Sequence, residues 1–391
     1  MRWWIKYDKL SVNQRSVLSI IRNNLDSAFW IRGFAGTGKT LVLTHLMQQI
    51  ANLAPNARLC YITYTKALVE LLNSAPLEDK NKYDIKTLSS FVYEKNKYDY
   101  IFLDEIQDAK IDQLKKLKQY TKHLYVAGDF NQKIYDNKLT EDDVKELLKP
   151  EIIDLLEVFR LTYRSCQLAL NILPEAKMVS GSSFMNSSDS TVNFVKSDKL
   201  DKEYIWIYNH AKDKTRPGDP CVILFPGHES VYEFSEIIAL HLGLPLPPKF
   251  GYVYISGIKQ RSYSKFNEFW ESNNIPLMFL GNGNGSFVQS DTVPLIYLMT
   301  YHSVKGLDFK NVFMPNLHNG TTFMPQKRLR EDPRADRRLL FVATTRSREN
   351  LYISYSKDQK HRYLSQLPPN VVNDIDINTI AKPENPYEDF F

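Results

Sequence analysis

The glycine-rich segment at residues 33–40 constrains this chain more than any other feature. It follows an apolar run at 28–31 and precedes a helical pattern at 41–50. A strand, a glycine-rich turn and a helix N-terminus direct several backbone N–H groups to one point, where the helix dipole adds partial positive charge. We therefore predict a nucleoside-triphosphate site with bound Mg²⁺, in which a lysine reaches the outer phosphates and a threonine hydroxyl ligates the ion. The predicted contacts in this segment are Gly33, Gly36, Gly38, Lys39, Thr40 and Leu41.

The bulk properties of the chain limit its class. Its 391 residues, 43% of them hydrophobic, are enough for two ordinary domains with buried cores. Three widely spaced cysteines argue against a disulfide framework or a zinc site and favour a reducing cytoplasm. No apolar run approaches the roughly 20 residues of a membrane span. We expect a cytoplasmic protein without membrane association, whose net charge of +5 permits nucleic-acid binding but does not require it.

Apolar runs alternate with helical patterns in two successive blocks. Such alternation predicts an α/β fold with parallel sheets covered by helices, and ligands at the C-terminal ends of the strands. We predict one domain at 1–158, a second at 159–367, and a flexible tail at 368–391 that is acidic and aromatic. The predicted strands are 28–33, 58–63, 100–104, 123–127, 152–156, 192–196, 221–225, 276–280, 294–299, 311–314 and 351–355.

Two carboxylates end one of the predicted strands of the first block. In a phosphate-loop enzyme, Asp104 would hold Mg²⁺ and Glu105 would polarise the attacking water. A strand end followed by a helix cap accounts for either acid alone, but less well for the pair. The next strand ends near Gln132, which is placed to meet a γ-phosphate, and Tyr135, which can stack on a base.

Further motifs follow in a fixed order, and together they resemble superfamily 1 helicases of the UvrD/Rep type over most of residues 11–356. This resemblance implies two RecA-like parallel-sheet domains, with ATP and Mg²⁺ in the cleft between them and single-stranded DNA across the top. The motifs that carry it, besides the two described above, are Thr63-Tyr64-Thr65-Lys66-Ala67-Leu68, Thr87-Leu88-Ser89-Ser90-Phe91, Leu161-Thr162-Tyr163-Arg164-Ser165, the segment 300–309 and the segment 337–346.

The resemblance also implies roles for individual residues. Gln14 resembles the glutamine that reads adenine, and Tyr163 would lie against the adenine. Arg164 and Arg346 resemble the two arginines that meet the γ-phosphate, so the domains would close on ATP to react. The segment 300–309, which couples DNA to the nucleotide, supplies Gly306 and Asp308; the family usually has glutamate at the latter place, where it contacts the ribose. The implied DNA contacts are Thr63, Tyr64, Phe91, Tyr135, His302 and Lys305.

The spacing of the motifs favours a motor protein whose accessory subdomains are reduced or absent. Larger relatives insert subdomains after the Thr65 motif and after the Ser165 motif, whereas here only 39 residues separate Thr65 from Asp104 and 135 separate Ser165 from Thr300. We therefore predict an ATP-dependent translocase or helicase on single-stranded DNA, with 3′→5′ polarity. Two alternatives remain: an ATPase motor subunit that acts with a nuclease partner in phage defence or repair, and an ATP-switched scaffold that binds DNA or protein. RNA also stays open as a substrate.

Overall fold

Two parallel β-sheets, each with helices on both faces, form the body of the chain. A computed structural model describes residues 3–379, apart from 79–81, 95, 136, 177, 179–180, 187–189, 256–257, 282, 357–358, 365–366 and 368–370. No helix in these described parts is long and apolar enough to cross a membrane.

The first sheet has six parallel strands in the order β3-β2-β4-β5-β1-β6. Its elements are α1 (Val12–Arg22), β1 (Phe29–Gly33), α2 (Lys39–Leu53), β2 (Leu59–Thr63), α3 (Lys66–Asn73), β3 (Tyr83–Thr87), α4 (Leu88–Glu94), β4 (Tyr98–Leu103), α5 (Ile111–Gln119), β5 (Thr121–Ala127), α6 (Glu141–Leu148) and β6 (Glu151–Leu155).

The second sheet has seven parallel strands in the order β13-β14-β10-β15-β16-β9-β17. Its part of the chain comprises β7 (Glu157–Val158), α7 (Tyr163–Ile172), β8 (Ser183–Phe184), β9 (Thr191–Lys196), α8 (Leu200–Lys214), β10 (Cys221–Phe225), α9 (His228–His241), β11 (Gly251–Ile255), β12 (Ile258–Ser262), α10 (Ser264–Ser272), β13 (Leu277–Phe279), β14 (Ile296–Thr300), β15 (Phe309–Met314), α11 (Gln326–Glu331), α12 (Ala335–Thr344), β16 (Ser347–Tyr355) and β17 (Asn373–Asp376).

Alternate side chains of the central strands enter different cores, which is why these strands read as unbroken apolar runs. In β4, Phe102 packs into the core that contains α1 and α2, whereas Ile101 and Leu103 pack into the core on the opposite face, with α5. In β10, Val222 and Ile223 divide in the same way between two cores. Burial on both faces favours the parallel arrangement and brings the C-terminal strand ends to one edge of each sheet.

The structure confirms the predicted α/β class, and every predicted strand overlaps an observed one. The prediction of a flexible tail from residue 368 is wrong at β17, which pairs with β9 in the register Asn373↔Asn193. The reason is that Ile375 packs against the core of the second sheet. The rest of the predicted tail, 380–391, lies outside the described residues, and the domain boundary at 158/159 stays a prediction.

Candidate active site and nucleic-acid groove

The glycine-rich segment forms a tight loop between β1 and α2. Gly36 and Gly38 have φ angles of +85° and +86°, which residues with a Cβ rarely adopt. A Cβ at Gly36 would also lie 2.7 Å from the Cβ of Arg160. Lys39 begins α2, and its Nζ donates to the carbonyl oxygens of Gly33 at 2.8 Å and Phe34 at 3.2 Å. The backbone therefore has the form of a phosphate cradle at a helix N-terminus.

The acidic pair lies beside this loop, at the end of β4. Thr40 Oγ1 donates to Asp104 Oδ2 at 2.6 Å, and the hydroxyl of Tyr61 donates to the same oxygen at 3.1 Å. Burial raises the pKa of Asp104 to about 6, and the neighbouring carboxylate of Glu105 adds to the shift. The converging hydroxyl and carboxylate oxygens fit Mg²⁺, which keeps several waters and takes few ligands from the protein when a substrate phosphate is also bound.

Glu105 has a backbone conformation that few non-glycine residues adopt, with φ 56° and ψ 45°. Such a conformation costs on the order of 1–3 kcal/mol and is found most often at functional sites. Burial opposes ionisation of the Glu105 carboxyl, but the cations of Lys305, Lys39 and Arg346 outweigh it and lower the pKa. The residue is therefore held as a carboxylate inside the protein.

Two arginines from beyond the first sheet face the phosphate loop. Arg346 is 1% exposed, and its Nη2 donates to Gln132 Oε1 at 3.1 Å, which joins the two sheets. Burial lowers the pKa of Arg346 to about 9, and the nearby charge of Arg160 adds to the shift. Arg160 Nη1 lies 3.4 Å from Asp308 Oδ2, and its Nε has no hydrogen-bond partner among the residues that the structure describes. Two buried guanidinium groups near one point favour an anionic ligand.

A cleft of about 320 Å³ connects these groups, a volume within the usual range for small-molecule sites. Gln14 lies at its base, where its Nε2 donates to Thr37 O at 3.2 Å. Gly306 passes close to α3, since a Cβ there would lie 3.0 Å from Leu68 Cδ2. The predicted site residues that line this cleft are Gln14, Gly36, Gly38, Lys39, Thr40, Leu41, Glu105, Gln132, Gly306, Asp308 and Arg346.

A second, larger cavity of about 610 Å³ runs between the two sheets as a groove. The rings of Tyr64 and Tyr135 stack in it at 4.3 Å, and His302 lies 6.1 Å from Tyr135. Burial lowers the pKa of His302, and the charge of Lys305 adds to the shift, so this imidazole is neutral at pH 7. Aromatic rings in a groove that also carries basic side chains are typical of a single-stranded nucleic-acid site. The basic side chains that line it are Lys66, Lys259 and Arg261.

Comparison with known proteins assigns the chain to a family. A family described as UvrD-like helicase C-terminal domain matches residues 253–358, and one described as AAA domain matches residues 18–138. The chain belongs to the UvrD/Rep type of superfamily 1 helicases. Both matched segments contain residues that line the nucleotide cleft and the groove.

Individual relatives match this UvrD-type chain over short segments. DNA helicase II of Haemophilus influenzae is 34% identical over 93 residues, which are 20% of this chain and 12% of that protein. DNA helicase II of Escherichia coli is 31% identical over 109 residues, 24% of this chain and 15% of that protein. Among solved structures, the arterivirus nonstructural protein 10 helicase with DNA has a TM-score of 0.39 at 13% identity, covering 85% of this chain and 61% of that one.

The prediction that Arg164 and Tyr163 lie at the cleft of the UvrD-type chain is wrong. Both are exposed in the first turn of α7, where Thr162 caps the helix by accepting from the backbone N–H of Ser165. Phe159 and Arg160 line the cleft instead, because the extended segment before the helix passes under the loop. The backbone N–H of Phe159 donates to Gly36 O at 2.9 Å. Phe159-Arg160 and Tyr163-Arg164 are both an aromatic residue followed by arginine, so this sequence pattern does not distinguish the two pairs.

Three predicted DNA contacts do not line the groove. Phe91 is 1% exposed, and its ring packs against those of Tyr98 and Tyr120 in the core of the first sheet. Thr63 is fully buried at the end of β2. Lys305 is 1% exposed, donates to Asp108 and to Gln132 O, and lies 3.6 Å from Glu105 Oε2. These assignments were wrong because each side chain points from its motif into the interior.

Sequence reasoning also missed several residues that line the nucleotide cleft. Trp3 lies on one wall, and its Nε1 donates to Leu71 O at 3.0 Å. Arg348 lies near Arg160, with its Nε 3.4 Å from Asp308 Oδ1. Asp308 is therefore held between two guanidinium groups, which no local motif indicates. Gly33, which was predicted to contact the nucleotide, does not line the cleft. A Cβ there would lie 2.5 Å from Thr37 Oγ1, so the loop leaves no room for a side chain at this position.

We predict that Lys305→Met destabilises the protein by about 3–5 kcal/mol, because it leaves the buried carboxylates of Asp108 and Glu105 without their shared cation. Urea unfolding monitored by circular dichroism measures the change. Lys310→Met is the matched control: it removes a half-exposed lysine from β15, the strand that follows the loop of Lys305, and should cost less than about 1 kcal/mol. Unchanged stability together with weaker DNA binding would restore Lys305 as a DNA contact.

Proposed function

We propose that this chain is an ATP-dependent motor that translocates on single-stranded DNA, and displaces a complementary strand, with 3′→5′ polarity. The single observation that carries the proposal is the two-sided lining of the nucleotide cleft. Lys39, Thr40 and Glu105 reach it from the first sheet, whereas Arg346 and Asp308 reach it from the second. A nucleotide bound there touches both parts of the chain, so its hydrolysis can change their relative position.

The residues of the cleft suit hydrolysis of a triphosphate. Thr40 and Asp104 would hold Mg²⁺, which neutralises phosphate charge when bound. Lys39 contacts the outer phosphates and Glu105 orients the attacking water. Arg160 and Arg346 stabilise the charge that develops on the γ-phosphate oxygens. Because Arg346 lies beyond the first sheet, turnover depends on closure of the cleft.

One short loop between β14 and β15 supports coupling of the two sites. His302 lies in the groove, Lys305 contacts the acidic pair, and Asp308 lies in the nucleotide cleft. A strand that contacts His302 therefore acts on a segment of only seven residues that ends at the nucleotide. This arrangement supports DNA-stimulated turnover rather than independent binding of two ligands.

The short intervals between the motifs favour one alternative, in which the chain is a motor subunit that works with a nuclease partner. In that case strand displacement by the isolated chain is weak, although ATP turnover still responds to DNA. A scaffold that is only switched by ATP predicts slow turnover that single strands do not stimulate. The same measurement distinguishes these functions.

The test is steady-state ATP turnover by the purified chain, titrated with single-stranded DNA, single-stranded RNA and duplex DNA. We expect saturable stimulation by single-stranded DNA, followed by displacement from 3′-tailed but not 5′-tailed substrates. Lys39→Ala, which removes the phosphate-contacting lysine, sets the background rate. Turnover that is indifferent to every nucleic acid would contradict the proposal. Displacement only from 5′-tailed substrates would contradict the proposed 3′→5′ polarity, but it would still support the proposed motor activity.

A further inference from the structure

The hairpin formed by β11 and β12 belongs to neither large sheet. Its register pairs Tyr252 with Arg261 and Tyr254 with Lys259. Residues directly opposite each other in an antiparallel pair share a face, and so do alternate residues of one strand. The two tyrosines and the two cations therefore lie on one face, and Val253 lies on the other. Lys259 Nζ is 4.1 Å from the centre of the Tyr252 ring, which agrees with this placement.

The hairpin stands at the mouth of the nucleic-acid groove. Lys259, Gln260 and Arg261 all line that cavity. Gln260 Oε1 accepts a hydrogen bond from Lys66 Nζ at 3.3 Å, and Lys66 is the first residue of α3 beside the first sheet. The hairpin thus reaches from the second part of the chain to the first across the groove. Two of the residues that line the groove, Lys259 and Arg261, share their face of the hairpin with the two tyrosines.

The two tyrosine rings on this face are largely exposed to solvent, although contacts within the hairpin could bury them. Tyr252 is 52% exposed and Tyr254 is 72% exposed. Cross-strand contacts between aromatic rings and cations stabilise an isolated hairpin, but they leave most of the Tyr254 ring in water. The two rings lie side by side on β11 and the two cations side by side on β12, an arrangement that suits a single strand with its bases on one side and its phosphates on the other. No carboxylate lies among the four side chains to repel a phosphate.

We propose that this face binds the bases and phosphates of the single strand that occupies the groove, so that the hairpin extends the bound length of the strand. The inference rests on the proposed function, because it takes single-stranded DNA as the ligand of the groove. The tyrosines stack on bases, while Lys259 and Arg261 contact phosphates. The hairpin is therefore a further nucleic-acid site, outside the predicted motifs.

The test is fluorescence anisotropy with labelled oligodeoxythymidylates of increasing length, without nucleotide. We expect Tyr252→Ala with Tyr254→Ala to weaken binding of a long oligonucleotide by about a hundredfold, since stacking is worth about one factor of ten per base and two rings are removed. An oligonucleotide that is too short to pass beyond the groove should bind the variant and the wild type equally. Val253→Ala, on the opposite face of the same strand, is the matched control and should bind as the wild type does.

A second pair of variants tests the phosphate contacts without altering the rings. Lys259→Gln with Arg261→Gln should reduce the slope of log affinity against log salt concentration by about 1.4, that is about 0.7 for each lost phosphate contact. If the wild type binds long oligonucleotides and both pairs of variants bind them equally well, the hairpin site is overturned and the groove proposal stands. If the wild type binds no oligonucleotide, both proposals fail. If the variants bind oligonucleotides with wild-type affinity but no longer displace a complementary strand, the proposal is overturned, and the hairpin instead separates the two strands of the duplex.

Discussion

Replacing Glu105 with glutamine is expected to lower ATP turnover by about 10²- to 10⁴-fold, the usual contribution of a general base. ATP affinity should stay within a few-fold of the wild-type value. The amide has the shape of the carboxylate and still accepts the hydrogen bond from Gln107, so the fold around the cleft is preserved. What the variant loses is the negative charge beside Lys39 and Arg346 that orients and polarises water.

Single-turnover hydrolysis and binding of a fluorescent ATP analogue measure the two quantities separately. Glu146→Gln removes one carboxylate from the exposed side of α6 and should change neither. Full activity of Glu105→Gln would contradict the role of Glu105 as the residue that activates water. A parallel loss of affinity and turnover would identify it as a structural part of the cleft.

The second large effect concerns the choice between two arginines that lie four residues apart. Arg160→Ala should reduce turnover by about 10³-fold or more, as expected for an arginine that stabilises charge on a transferring phosphoryl group. Arg164→Ala should leave turnover within a few-fold of wild type, because its side chain is exposed on α7 and does not line the cleft. The two variants each remove one guanidinium group, from positions only four residues apart, so Arg164→Ala is the matched control for Arg160→Ala.

Stability has to be measured alongside this comparison, because Arg160 also pairs with Asp308. Arg348 contacts the same carboxylate and should keep the cost of Arg160→Ala small. Thermal unfolding with and without ATP gives this cost. A collapse of turnover in Arg164→Ala, with Arg160→Ala nearly normal, would show that the helix turns its first residues to the cleft during catalysis and that the sequence-based choice was right.

The phosphate loop and the acidic strand were predictable because their chemistry is local. Residues 33–40 must form a loop that ends at a helix, and an apolar strand that ends in Asp104 and Glu105 must bring both to the same sheet edge. The apolar runs also gave the strands, since burial on two faces leaves a continuous hydrophobic signal. The five-residue strand β3 was missed because it has polar residues at the edge of the sheet, such as Asp84 and Lys86.

The errors arose where the direction of a side chain depends on distant parts of the chain. Arg164 was predicted from the resemblance of its motif, whereas the starting point of α7 leaves Arg164 in the exposed first turn and Arg160 at the cleft. Lys305 resembles a DNA contact in sequence. In the structure it is buried and forms an ion pair with Asp108, which is 197 residues away in the chain. Phe91 fits a stacking residue or a core residue equally well, and its burial follows from packing between α4 and α5.

The most direct test of the account is an experimental structure of the chain with Mg²⁺ and a non-hydrolysable ATP analogue. The central claim is that residues from both sheets meet on one triphosphate. We expect the γ-phosphate to lie within hydrogen-bond distance of Lys39 Nζ and of the guanidinium groups of Arg160 and Arg346. A triphosphate held by the first sheet alone, with both guanidinium groups remote from it, would contradict the account.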